Sequence, residues 1–155
     1  MSTRDRWKGF FFWSAGAILI VTAVAKVLSS FGDNPILREK DPIVALPYGV
    51  LLPCVAVPET AVACVCLFAK RVSTKARLLL WLACCFAAYR ASLVLVGYHG
   101  YCHCLGELTE AIGIPQQFAQ IALRGVLAYF IVGSSAVLMC ESPKLRFLPR
   151  SHWHL

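Results

Sequence analysis

Cys102 and Cys104 are separated by His103 in the run Tyr98, His99, Gly100, Tyr101, Cys102, His103, Cys104, Leu105, Gly106. Thiols and imidazoles this close together can close a small disulfide ring, share a metal ion or remain reduced. A disulfide spanning one intervening residue departs from ideal geometry, and departures of that kind make the bond easier to reduce. His99 and His103 are placed to lower a thiol pKa or to relay the proton of exchange. The expected chemistry is transfer of oxidising equivalents through Cys102 and Cys104, with His103 and His99 assisting. A static disulfide, or a reduced pair that pins its two flanking segments together, is the competing reading. Metal is a weaker fit, because adjacent ligands at 102, 103 and 104 do not easily converge on one tetrahedral ion. The order is also not the Cys-x-x-Cys-His of covalent haem attachment. Neither metal nor haem is predicted.

A second set of groups lies in apolar surroundings. Lys26, Glu59, Arg90 and Arg124 each interrupt a different hydrophobic run. A charge near the centre of a bilayer costs at least a few kcal/mol, so these side chains should face a bundle interior and pair. At ~1.5 Å per helical residue, Lys26 lies about 8 Å, Arg90 about 10 Å, Arg124 about 12 Å and Glu59 about 18 Å below the outer ends of their runs. One reading pairs Glu59 with Arg90 or Arg124 and lets Lys26 snorkel to the headgroups. The other uses the surplus positive charge to hold an electron-rich group such as a quinone carbonyl, as preorganised donors do elsewhere. The two readings are compatible.

The elements that position these residues follow from hydrophobicity. Of the 155 residues, 59% are hydrophobic and 15% charged, and the mean hydropathy is +0.68, which is too apolar for an ordinary soluble domain. Apolar runs at about 10–31, 43–69, 78–97 and 118–139 predict an all-α, four-helix transmembrane bundle in one membrane domain. Pro47, Pro53 and Pro58 should kink the second run or delay its start. Pro115 marks a start for the fourth. The run after Arg4, Arg6 and Lys8 could pass for a signal peptide, but it continues beyond Ala23, Val24 and Ala25 and is read as an uncleaved span. The formal net charge of +7 sits beside the runs, where it orients helices and meets anionic lipid, so no nucleic-acid partner is expected.

Lys and Arg alternate in density between connections. The N-terminus has three, the second connection four and the tail three, whereas the first connection has two and the third none. This pattern places both termini in the cytoplasm of a bacterial inner membrane. It places the loop with Cys102 and Cys104 in the periplasm or an equivalent oxidising compartment, where disulfides persist.

Ala25, Lys26, Val27 and Leu28 at the end of the first run, Pro58 and Glu59 in the second, and Cys102 to Gly106 after the third resemble the MauE/DoxX group of redox-associated membrane proteins. The resemblance covers nearly the whole chain. It implies a DoxX-like bundle with redox work at the outer face, and does not by itself supply the reaction; taken with the chemistry of Cys102 and Cys104, the expected function is thiol-disulfide exchange at the periplasmic face, coupled to quinone and supporting maturation or electron transfer of periplasmic partners. It departs from the four-cysteine layout of DsbB- and VKOR-type oxidases in lacking an obvious Cys-x-x-Cys. The alternative is a non-catalytic accessory subunit of a larger membrane complex. Cys54 is a candidate resolving thiol, against a packing role, and Cys64, Cys66, Cys84, Cys85 and Cys140 are expected to pack as small apolar residues.

Overall fold

The structure, a computed structural model, describes residues 3–31, 35–97 and 116–145. Four long helices, α1 (Thr3–Ser30), α2 (Tyr48–Phe68), α3 (Val72–Leu95) and α4 (Gln116–Leu145), make up most of them. A single 3-10 turn, Pro35–Arg38, lies between α1 and α2. All four helices are long and apolar enough to cross a membrane. The shortest, α2, has 21 residues, or about 32 Å at 1.5 Å per residue, matching the thickness of a hydrocarbon core.

Each helix presents large apolar side chains outward. Val21 and Leu28 on α1, Val57 and Phe68 on α2, Trp81 and Val94 on α3, and Ile121, Val132 and Met139 on α4 are all exposed. In water such a surface would aggregate, whereas in lipid it is the solvated face. The interior is lined instead by small residues. Ala15, Ala63, Ala76 and Ala83 are fully buried beside Phe11, Leu19 and Leu79. Between helices that gain nothing from leaving water, small residues allow the backbones to approach and make dispersion contacts.

α1 packs chiefly on α2, and α3 on α4. At one end the ammonium of Lys8 donates to Glu141 Oε1 at 2.7 Å, which places the start of α1 beside the end of α4. At the same end the Lys75 ammonium donates to the Cys66 carbonyl at 2.7 Å. That bond satisfies one of the carbonyls left without a partner in the last turn of α2. At the other end α3 stops with Gly97 at φ +73, a left-handed conformation that glycine adopts without strain. Its N–H donates back to the Val94 carbonyl at 3.0 Å.

The helices do not coincide with the apolar runs. α2 begins at Tyr48 rather than near residue 43, because Pro47 takes an extended N-cap conformation, φ −60 and ψ 140. Residues 39–48 instead close on themselves through the Asp41 N–H to the Leu46 carbonyl at 2.9 Å and the Tyr48 N–H to the Glu39 carbonyl at 3.0 Å. Pro53 and Pro58 lie inside α2. α3 begins at Val72, so Lys75 and Arg77 belong to its first turns and not to the preceding connection. Long basic side chains tolerate this position because their stems cover apolar surface while their charged ends reach the interface.

Candidate functional site

Cys102, Cys104, His99 and His103 lie outside the described residues. The described part of the site is what the four helices build near the Gly97 end of α3. There Ile18, Leu19, Leu52, Phe86, Leu127 and Phe130 help to wall a cavity of about 310 Å³. Its few polar groups are Thr22, Lys26, Tyr48, Glu59, Tyr89 and Arg90. A mostly apolar hollow with a small number of convergent polar groups is the usual form of a small-molecule site.

Lys26 and Glu59 form the centre of this polar set. The Lys26 ammonium donates to both carboxylate oxygens of Glu59, at 2.7 and 2.8 Å, and both residues are buried. The pairing corrects the expectation that Glu59 meets an arginine while Lys26 snorkels outward. The reason is helix direction. Lys26 lies four residues before the end of α1 and Glu59 eleven after the start of α2, or about 6 Å and 17 Å from those ends. Side chains lean toward the N-terminus of their own helix. On antiparallel neighbours Lys26 therefore leans inward and Glu59 leans back toward it, which closes the gap.

An ammonium has three N–H donors. Two serve Glu59, which leaves one for a ligand in the cavity. The Lys26 Nζ also lies 5.9 Å from the centre of the Phe86 ring, within the range of a cation–π contact. Arg90 is half-buried in the cavity wall. Arg124 is not: it is exposed on α4, one residue beyond the wall residue Leu123. Of the four expected binding residues, the fold brings Lys26, Glu59 and Arg90 to one cavity and leaves Arg124 on its flank.

One wall of the cavity is tied by a carboxylate that the sequence did not reveal. Asp41 is buried and accepts the Tyr89 hydroxyl, and its Oδ1 accepts the N–H groups of Ile43 and Val44 at 2.9 Å each. Val44, Tyr48 and Tyr89 all line the cavity, so this one carboxylate ties the loop, α2 and α3 together beside it. Desolvation disfavours its charged form, but the bonds from Tyr89, Val44, Ile43 and Tyr48 outweigh it and hold the carboxyl below its ordinary value. A short polar segment containing an aspartate is too common a pattern to have signalled this role.

A carboxyl whose folded pKa is depressed stabilises the fold fully above its unfolded pKa, here near 3.8, and loses that contribution as pH falls through the folded value. Asp41→Asn is expected to cost about 1–2 kcal/mol at neutral pH through the loss of charge-assisted bonds. The difference in melting temperature from the native protein should shrink as pH is lowered through the carboxylate range. A difference that holds constant down to the most acidic condition would count against an ionised Asp41.

The cysteines within the helices depart from expectation. Cys66 is buried and packs as foreseen. Cys64, Cys84 and Cys140 are exposed, because their helices turn those positions outward toward lipid, where a thiol is as acceptable as a small apolar group; Cys85 is exposed as well. Cys54 is also exposed, and Cys85 borders the cavity. Compared with protein-family models, curated proteins and solved structures, the chain matches none.

Proposed function

We propose that the chain is a multi-pass inner-membrane protein of the MauE/DoxX kind. In this reading both termini are cytoplasmic, and the protein exchanges thiol and disulfide with a periplasmic partner through Cys102 and Cys104 in a process linked to quinone. A partner thiolate attacks one sulfur of the Cys102–Cys104 disulfide, and a mixed disulfide forms. The partner's second thiolate then displaces it. The partner leaves as a disulfide, and Cys102 and Cys104 are left as two thiols after taking up two electrons and two protons. His99 and His103 hold and pass those protons.

The observation that carries the reading is the apolar cavity of about 310 Å³ with Lys26, Glu59 and Arg90 in its wall. The donor set suits a quinone: apolar walls for the ring, with the remaining Lys26 N–H and the Arg90 guanidinium as donors for carbonyl oxygens. A bound quinone supplies an acceptor for the two electrons and two protons of the reduced cysteines. Lys26 and Arg90 hold and orient the ligand, Glu59 keeps Lys26 in place, and the apolar wall excludes water.

The test is the redox state of Cys102 and Cys104, read by alkylation and mass spectrometry across a thiol buffer series, with and without added quinone. A reversible couple that quinone re-oxidises is expected, with Cys104→Ser reducing turnover to background. The double variant Lys26→Met with Glu59→Met should slow re-oxidation by about a hundredfold. A pair indifferent to quinone would make the protein an accessory subunit whose buried charges serve assembly.

A further inference from the structure

The ion pairs among the described side chains are Lys8 with Glu141 and Lys26 with Glu59. Asp41 is occupied by Tyr89 and by backbone N–H groups. Arg90 and Arg124 therefore have no carboxylate partner among the described residues; Arg90 lies in the cavity wall, and Arg124 follows the wall residue Leu123 on α4, the helix that packs against α3. Arg90 lies five residues before the end of α3 and Arg124 eight after the start of α4, or about 8 Å and 12 Å inside those ends. Two like charges on packed helices at that depth are costly, and the cost is relieved when an anion binds beside them. Guanidinium groups bind carboxylate and phosphate through paired N–H donors.

The space beside Arg90 is not suited to a small hydrated anion. Leu93, Leu123, Val126, Leu127 and Phe130 face it, and a hollow walled this way gains by taking up a hydrocarbon chain. We propose that Arg90 and Arg124 form the headgroup site for an anionic lipid, with one acyl chain lying in the cavity. The guanidinium groups hold the carboxylate or phosphate, and the leucine, valine and phenylalanine side chains take the chain. This goes beyond the redox reading: the lipid would compete with quinone for the same hollow and set its occupancy according to the lipid composition of the membrane.

Native mass spectrometry of the full chain in neutral detergent tests the site, with phosphatidylglycerol, phosphatidylcholine, palmitate and inorganic phosphate as separate probes. Retention of one phosphatidylglycerol or one palmitate per chain is expected, with phosphatidylcholine held at least about tenfold more weakly. Whichever anionic probe is retained identifies the source of the head. Arg90→Gln and Arg124→Gln should each weaken retention about tenfold. Leu127→Trp, which fills the hollow and leaves both arginines, should do the same, and it decides the matter should an arginine variant fail to fold. Equal retention of phosphatidylcholine, retention unchanged in the variants, or inorganic phosphate bound as tightly as the lipids would overturn the site. No electron transfer is read, so a failure here leaves the quinone reading standing, and a failure of that reading leaves this one.

Discussion

Glu59→Gln is expected to lower the stability of the bundle by about 3–5 kcal/mol, the cost of leaving one member of a buried pair without its counter-charge. Both oxygens of Glu59 are engaged by Lys26, at 2.7 and 2.8 Å. A glutamine of nearly the same shape keeps the volume but not the charge. Lys26 is then an ammonium in an apolar wall, with a neutral amide oxygen in place of the carboxylate and the Phe86 ring as its contacts. Two outcomes are open to it, deprotonation or turning toward the interface, and each loosens the contact between α1 and α2. Lys26→Met should cost a similar amount by orphaning the carboxylate. The double variant, Lys26→Met with Glu59→Met, should recover most of the loss, since well-packed apolar replacements for a buried ion pair are often neutral. Unfolding in mixed micelles measures all three, and the coupling between the two sites is the quantity of interest. Single losses that simply add in the double variant would mean that the pair contributes nothing as a pair.

Gly133→Ala is the second large effect, about 3 kcal/mol at the upper end of what overpacking costs. A Cβ placed on Gly133 would meet Cε2 and Cζ of Phe11 well inside contact distance. Phe11 is unable to move aside freely. It is 1% exposed and lies edge-on to Phe12 and Tyr129, with ring centroids at 5.1 Å in both cases. Tyr129 is itself held by a hydrogen bond with Ser14 at 2.8 Å. The added methyl therefore forces α1 and α4 apart where they touch, near the Lys8 and Glu141 pair. Phe11→Leu in the Gly133→Ala background should restore part of the stability by making room. Thermal melting in detergent reads both variants. Indifference to Gly133→Ala would show that the ring repacks at no cost.

These two contacts differ in how far they could be read from the chain. Lys26 and Glu59 were visible as charges in apolar runs, and burial in a bundle followed from the cost of placing them in lipid. Their pairing was not visible. It depends on the rotation of each helix about its axis and on the lean of each side chain, and a hydrophobic run carries neither. Arg90 and Arg124 looked equivalent to them, yet one lines the cavity and the other lies on its flank. The role of Gly133 was hidden entirely, because a glycine in a membrane helix acquires meaning only from the ring opposite it. Asp41 was hidden for a related reason: its partner Tyr89 is forty-eight residues away, on a different helix.

The sequence by itself determined that four helices of this chain are apolar enough to cross a membrane, because hydrophobicity and helical periodicity are properties of contiguous residues. It also determined where basic residues gather and where two cysteines flank a histidine. The tertiary structure decided which charges meet, which side chains wall the hollow and which carboxylate ties the loop beside it. Those outcomes depend on distances between helices, and such distances are set by small residues meeting large ones across the bundle, as Gly133 meets Phe11.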